Sequence, residues 1–96
     1  MTASDATIVI VEDEEPLAEL YAEFLSEQFE TKTVYSGESA LDVIDEEVDL
    51  VLLDRRMPGT SGDEVLESIR ERNLDCQVVM VTAAYPDFEI VEVGFD

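Results

Sequence analysis

Short apolar runs alternate along the chain with longer segments in which apolar residues recur every three or four positions. The runs are rich in β-branched residues and are bounded by polar residues, a pattern typical of strands that are buried on both faces of a sheet. This pattern predicts four strands, at residues 8–11, 31–35, 48–53 and 77–82.

The segments between the strands have the spacing of amphipathic helices. Pro16 suits the first turn of one helix, and Gly62 lies near the start of another. The apolar positions expected to face the sheet are Leu17, Leu20, Tyr21, Phe24 and Leu25 in the first helix, Ala40, Leu41 and Ile44 in the second, and Val65, Leu66 and Ile69 in the third. The last apolar segment, at residues 88–93, fits a short helix or a strand, and the alternation of elements favours a helix.

Strands that alternate with helices predict one α/β domain with a doubly wound parallel sheet and right-handed crossovers. In such sheets, ligands bind beyond the carboxyl ends of the strands. Glu12 and Asp13 follow the first strand, Asp54 follows the third, and Thr82 ends the fourth. We therefore expect three carboxylates and a hydroxyl to converge on one edge of the sheet.

Composition narrows the classes of function. The 96 residues include 25 Asp plus Glu, five Lys plus Arg, one Cys and no His, so the formal charge is −20. A chain without His and with a single Cys excludes an internal disulfide, His-based catalysis and zinc sites of the Cys/His type. The negative charge repels nucleic acids and anionic lipids, so we expect neither nucleic-acid binding nor membrane binding by this chain.

The acidity also suggests where the protein works. Apolar runs distinguish the chain from a disordered acidic tail, and a strongly acidic surface is tolerated best where salt screens the repulsion. Residues 1–7 show no basic region followed by an apolar region, and no window is apolar enough to span a membrane. We expect a cytoplasmic protein of a salt-adapted organism.

Three carboxylates close together repel one another unless a cation or a proton neutralises them. Mg²⁺ fits this edge better than Ca²⁺, because it takes few carboxylates and completes its shell with water and phosphate oxygens. An aspartate beside such an ion can act as a nucleophile and form an aspartyl phosphate.

Four stretches of the sequence resemble response-regulator receiver domains, the phosphoacceptor half of two-component signalling. They come in the order expected for that family and together span nearly the whole chain. They are Ile8-Val9-Ile10-Val11-Glu12-Asp13, Leu50-Val51-Leu52-Leu53-Asp54, Met57-Pro58-Gly59 with Gly62, and Val79-Met80-Val81-Thr82-Ala83.

The resemblance implies a role for each residue at the predicted edge. Asp54 would accept a phosphoryl group from a sensor histidine kinase. Asp13, Asp54 and the backbone carbonyl of Arg56 would bind Mg²⁺ directly, and Glu12 would act through water. Thr82 would bind the phosphoryl group and change conformation to control an output domain or a downstream protein. Such a domain can lose the group by hydrolysis, but it is not a conventional enzyme.

The resemblance also implies a flavodoxin-like strand order of 2-1-3-4-5, with residues 1–96 forming a receiver domain that is incomplete at its C-terminus. The fifth strand, its aromatic switch residue, the family's lysine and the last helix would all lie beyond Asp96. The fourth strand would then be an exposed edge. We therefore expect either that the biological chain is longer, or that the 96-residue form self-associates through strand four and residues 86–95.

Two other interpretations are compatible with parts of the sequence. A pseudo-receiver would keep the fold as a protein-interaction module without the switch, but the presence of Glu12, Asp13, Asp54 and Thr82 argues against it. A Mg²⁺-dependent phosphohydrolase with an Asp nucleophile would usually carry a second Asp two residues after the nucleophile on strand one. Glu15 follows Asp13 at that spacing, which weakens this alternative.

Overall fold

The computed structural model describes residues 6–82 and 89–93, with residue 82 and residues 89–93 described by their backbone alone. Strands and helices alternate through most of this region, as the sequence predicts. The elements are β1 (Thr7–Val11), α1 (Glu15–Leu25), β2 (Glu30–Val34), α2 (Gly37–Val43), β3 (Leu50–Asp54), α3 (Gly62–Glu71), β4 (Gln77–Thr82) and β5 (Glu89–Val93). No helix in the described ranges is long and apolar enough to cross a membrane.

The sheet has the order β2-β1-β3-β4-β5. The first four strands are parallel, so the predicted flavodoxin-like order 2-1-3-4 is confirmed. Val11 at the end of β1 pairs with Leu53 near the end of β3. This register brings the residues after β1 beside the last residue of β3.

Alternate strand residues point to opposite faces of the sheet, and each face has its own apolar cluster. Residues of β1, β3 and β4, among them Val9, Leu53 and Met80, pack with α2 and α3 on one face. Val65 and Ile69 of α3 are fully buried there, as predicted. Cys76 is a buried free thiol in the same cluster, which agrees with a packing role for this residue.

The other face carries α1, and here one prediction is wrong. Ala18 is the fully buried residue of α1, whereas Leu20 and Phe24 are 58% and 81% exposed. At 100° per residue, Leu20 lies roughly 160° and Phe24 roughly 120° from Ala18 around the helix. The five apolar residues share one stripe of roughly 140°, but the edge that carries Leu20 and Phe24 is turned toward solvent.

An apolar cavity of about 700 Å³ lies between α1 and the sheet. The side chains that line it include the aromatic rings of Tyr21, Phe24 and Phe29 and the β3 residues Leu50 and Leu52. Among the described helices, α1 packs against this apolar cluster of the sheet, whereas both α2 and α3 pack against the opposite one.

The C-terminal part of the sheet differs from the sequence prediction in its last element and in its edge strand. Residues 89–93 form a strand rather than a helix, and this strand pairs antiparallel with β4, with Thr82 opposite Glu89 and Val78 opposite Val93. The sheet is consequently mixed, and β4 is paired on both sides. The exposed β4 edge on which the expected self-association rests is therefore absent. The local sequence pattern of residues 89–93 fits either a helix or a strand. Backbone hydrogen bonds to β4 stabilise the strand.

Residues 83–88 and 94–96 lie outside the described residues. Residues 86–88, 94 and 95 of the segment expected to self-associate are among them.

Candidate phosphoacceptor and metal site

Two neighbouring parallel strands bring the predicted acidic residues together. β1 ends at Val11, directly before Glu12 and Asp13, and Asp54 is the last residue of β3. The N–H of Glu12 donates a hydrogen bond to the carbonyl of Val34 on the other neighbour of β1, at 3.1 Å. The backbone of Glu12 is thus held at the sheet edge while its side chain extends toward Asp54.

The three carboxyl groups form one cluster. One oxygen each from Glu12, Asp13 and Asp54 lies within 4.8 Å of the other two. Glu12 is only 4% exposed, whereas the other two side chains are half-buried. The expectation that these residues meet at one edge is confirmed, and the cluster has a buried side at Glu12 and a more open side at Asp13 and Asp54.

Burial makes ionisation of the carboxyl groups in the cluster energetically unfavourable. Burial raises the pKa of Glu12 from an ordinary 4.5 to about 8, and the nearby charges of Asp54 and Asp13 favour this increase. The N–H of Glu14, which donates to Glu12 Oε2 at 3.2 Å, opposes it. The contact between the carboxyls of Glu12 and Asp54 raises the pKa of Glu12 and acts to lower that of Asp54, so Glu12 holds a proton more readily than Asp54.

Asp54 is held by its own loop. Its Oδ1 accepts a hydrogen bond from the backbone N–H of Arg56 at 3.1 Å. Burial raises the pKa of Asp54, and this N–H acts in the opposite direction. Because the bond spans two residues, the backbone of Arg56 folds back beside the Asp54 carboxylate.

The donor set suits a small hard cation. Ligand oxygens of an octahedral Mg²⁺ lie about 2.1 Å from the ion, hence about 3 Å apart when adjacent and about 4.2 Å apart when opposite. The oxygens of Asp13 and Asp54 need only small movements to reach this geometry, and Glu12 lies close enough to bind a water ligand of the ion. A cation would also remove the repulsion that keeps a proton on Glu12. On both counts, the residues present fit the divalent ion that the sequence suggests.

The two arginines after Asp54 have different surroundings. Arg55 Nε lies 3.3 Å from Asp63 Oδ2, and this is the ion pair found in the described part of the chain. The side chain of Arg56 is exposed. Arg55 therefore neutralises a carboxylate of α3.

Thr82 ends β4, one strand away from Asp54. Val81 pairs with Asp54, and its carbonyl accepts a hydrogen bond from the N–H of Arg55 at 3.2 Å. The backbone of Thr82 is thus one residue beyond the partner of Asp54, at the same edge of the sheet. Its side chain lies outside the described residues, so its role as a switch stays a prediction.

Sequence reasoning missed the hydroxyl of Tyr21. This atom is buried and has no hydrogen-bond partner among the described residues. Burial raises the pKa of Tyr21, and the negative charges of Glu12 and Asp54 raise it further. The sequence places Tyr21 among the residues expected to face the sheet, but the proximity of its hydroxyl to Glu12 and Asp54 follows from the tertiary fold.

Comparison with known proteins identifies the family. The family model described as the response regulator receiver domain matches residues 8–94, which is most of the chain. The chain belongs to the response regulator receiver domain family. The order and strand-end placement of the four sequence stretches agree with this assignment.

Receiver domains of named regulators are similar along almost the whole chain. A candidate transcriptional regulator of Haloferax volcanii is 52% identical over 95 residues, covering 98% of this chain and 16% of that protein. The transcriptional regulatory protein CpxR of Escherichia coli K12 is 36% identical over 93 residues, covering 93% of this chain and 40% of CpxR. The chain thus spans less than half the length of these curated relatives.

Solved structures support the fold. The response regulator TrrA of Thermotoga maritima, crystallised with Mg²⁺ and beryllium fluoride, superposes with a TM-score of 0.74. It is 39% identical, and the match covers 84% of this chain and 71% of that chain. A receiver domain from Vibrio parahaemolyticus superposes with a TM-score of 0.77 at 28% identity, covering 85% of this chain and 65% of the other.

Proposed function

We propose that residues 1–96 act as a receiver domain whose Asp54 accepts a phosphoryl group from the phosphohistidine of a sensor kinase. The observation that carries the proposal is the three-carboxylate cluster, with Asp54 at the end of β3 and Glu12 and Asp13 beside it. Membership in the receiver family supports the same reaction.

The chemistry is a transfer of one phosphoryl group. An Asp54 oxygen forms a bond to phosphorus as the bond from phosphorus to the donor imidazole nitrogen breaks, and the electron pair stays on that nitrogen. The N–H of Arg56, which already donates to Asp54 Oδ1, keeps the carboxylate oriented for this attack. Hydrolysis of the aspartyl phosphate by water would later release inorganic phosphate and return Asp54 to its carboxylate form.

Mg²⁺ is the ion that we propose for the site. Asp13, Asp54 and the backbone carbonyl of Arg56 would hold it directly, and Glu12 would hold it through water. When bound, the ion supplies positive charge that offsets the negative charge of the transferring group. The presence of Mg²⁺ in the related TrrA structure supports this choice.

Thr82 is the proposed switch residue. Its backbone ends β4 at the edge that holds Asp54, where a hydroxyl can donate a hydrogen bond to a phosphoryl oxygen. A movement of Thr82 toward Asp54 would alter the segment that follows β4 and thereby the surface offered to an output domain or a downstream protein. The names of the curated relatives, as transcriptional regulators, support an output of this kind.

The test is phosphorylation of the chain by acetyl phosphate, followed by Phos-tag electrophoresis with and without Mg²⁺. We expect a slower-migrating band that requires Mg²⁺ and is lost in Asp54→Asn. Asp42→Asn is the matched control, because Asp42 is an exposed carboxylate of α2 outside the cluster. A band that persists in Asp54→Asn, or one that forms equally well without Mg²⁺, would overturn the proposal.

A further inference from the structure

The loop that follows Asp54 is attached to the start of α2. We call residues 55–61, between β3 and α3, the acceptor loop. Within it, the hydroxyl of Thr60 donates a hydrogen bond to Glu38 Oε2 at 2.9 Å, across 22 positions of sequence. Glu38 belongs to the first turn of α2, a helix that is capped by the Ser36 hydroxyl.

Two glycines allow the loop and the helix to come this close. A Cβ atom on Gly37 would lie 2.5 Å from the carbonyl oxygen of Thr60, so only glycine fits the approach. Gly59 has a φ of +75°, in the left-handed region, and a Cβ there would lie 3.1 Å from Glu38 Oε2. The bond between Thr60 and Glu38 is therefore part of a close contact between the acceptor loop and α2.

Other contacts hold the start and the end of the loop, and one of them reaches β4, where the carbonyl of Val81 accepts a hydrogen bond from the N–H of Arg55 at 3.2 Å. The N–H of Gly62 donates to the carbonyl of Arg55 at 3.1 Å, and a Cβ on Gly62 would lie 2.5 Å from the carbonyl of Asp54. The N–H of Arg56 donates to Asp54. These contacts fix the start of the loop and shape it, whereas the hydrogen bond of Thr60 with Glu38 attaches its far end to α2.

The bond lies at the protein surface and has a charged acceptor. Its acceptor is a carboxylate, and hydrogen bonds to ionised acceptors are shorter and stronger than neutral ones. The pKa of Glu38 is lowered by its own backbone N–H and then by the hydroxyl of Thr60, so the carboxylate stays ionised at neutral pH. Salt weakens such a short directional contact less than it weakens charge interactions over longer distances.

We propose that Glu38 and Thr60 are positioning residues, which hold the acceptor loop so that the Asp54 carboxylate and the Arg56 carbonyl face one cation. The proposal rests on the function proposed above. Neither residue belongs to the acidic cluster; both act through the backbone of the loop. A loop that is already ordered loses less conformational entropy when a ligand binds, so affinity rises without an added ligand contact.

The test compares Thr60→Val, which keeps the side-chain shape but removes the hydroxyl donor, with Thr60→Ser, which keeps the donor. Two quantities are measured on the full chain: hydrogen exchange of the loop amides of residues 56, 57, 59 and 60 in metal-free protein, and Mg²⁺ affinity by titration. We expect Thr60→Val to speed exchange and weaken Mg²⁺ binding, each by roughly tenfold. Thr60→Ser should stay within about twofold of the parent.

Glu38→Ala and the double variant Glu38→Ala/Thr60→Val complete a double-mutant cycle. If the two side chains act as a pair, the double variant loses no more affinity than either single variant. Thr33→Val is the control, because it makes the same change at a partly buried threonine of β2. Parent-like exchange and parent-like Mg²⁺ affinity in Thr60→Val would overturn the proposal, and so would fully additive losses in the double variant.

The two proposals fail in different ways. If Asp54→Asn still becomes phosphorylated, the proposed acceptor is wrong, whatever the exchange measurements give. If Asp54→Asn abolishes phosphorylation while Thr60→Val keeps a protected loop and full affinity, the acceptor assignment stands and the positioning role is wrong.

Discussion

Glu12 is the most deeply buried carboxyl of the three-carboxylate cluster. In the folded, metal-free chain, burial raises the pKa of this carboxyl from 4.5 to about 8, so the folded state holds a proton that the unfolded state releases. Stability therefore falls as the pH rises through this window, because the unfolded state binds fewer protons there. Divalent cations should reverse the loss by neutralising the cluster.

This linkage gives a first prediction. In metal-free buffer of constant high salt, urea unfolding of the parent should show a free energy of unfolding that falls by more than about 1 kcal/mol between about pH 5 and pH 8. Glu12→Gln should flatten this dependence, because the amide does not titrate. Glu14→Gln, at an exposed neighbour, should keep it. A parent with stability independent of pH would contradict the burial account of Glu12.

Tyr21 gives a second prediction at the same scale. Its hydroxyl is buried without a partner among the described residues, and such a group loses its hydrogen bonds to water on folding. Tyr21→Phe removes only this oxygen and should stabilise the chain by about 1 kcal/mol in thermal unfolding. Tyr35→Phe, at a 42% exposed tyrosine, should have no measurable effect. A clear loss of stability in Tyr21→Phe would mean that the hydroxyl is hydrogen-bonded in solution.

Sequence reasoning could place the acidic residues at one edge, because the ends of neighbouring parallel strands meet whatever the details of packing. It could not show that Glu12 is buried while Asp13 is half-exposed, since burial depends on side chains from several elements. The sequence pattern also does not indicate that Thr60 contacts Glu38. This contact joins residues of two elements whose relative placement follows from the tertiary fold.

For the helices and strands, the sequence prediction was right where the local pattern of apolar and polar residues fits only one type of secondary structure. The apolar runs of β1 and β3 are too short and too β-branched for helices, and α3 shows both an apolar face and the capping box of Ser61 with Glu64. β5 was missed because the apolar positions of residues 89–93 suit a strand and a helix equally. In the structure, these residues pair with β4. This pairing is a non-local interaction, so the local sequence pattern does not indicate it.

Pairing on both sides of β4 is testable by amide hydrogen exchange. The amides of Val78 to Val81 should all exchange slowly, because those that do not bond to β3 bond to β5. In β2, the alternate amides that point away from β1 should exchange quickly and serve as an internal control. Fast exchange at every second residue of β4 would show that β5 does not pair with it in solution.

For the molecule as a whole, the dominant property is the net charge of −20. Repulsion among exposed carboxylates opposes the compact state, and the Debye length shortens from about 10 Å at 0.1 M salt to about 3 Å at 1 M. The 52% identical relative from Haloferax volcanii is consistent with the salt adaptation expected from the composition.

We predict that raising KCl from about 0.1 M to about 2 M increases the melting temperature by at least about 5 °C. A variant with Glu15, Glu19 and Glu23 of α1 changed to Gln should melt higher at low salt and gain less from KCl, because these side chains are exposed and like-charged. A flat melting temperature across the KCl series would contradict the role assigned to repulsion.

The central claim is that Asp54 is the phosphoryl acceptor, and chemical mapping of the modified residue tests it most directly. The chain is treated with acetyl phosphate and Mg²⁺, and borohydride then reduces any aspartyl phosphate to homoserine, which peptide mass spectrometry locates. We predict homoserine at position 54 alone. Homoserine at position 13, or none at position 54 in a sample that Phos-tag electrophoresis shows to be phosphorylated, would contradict the account.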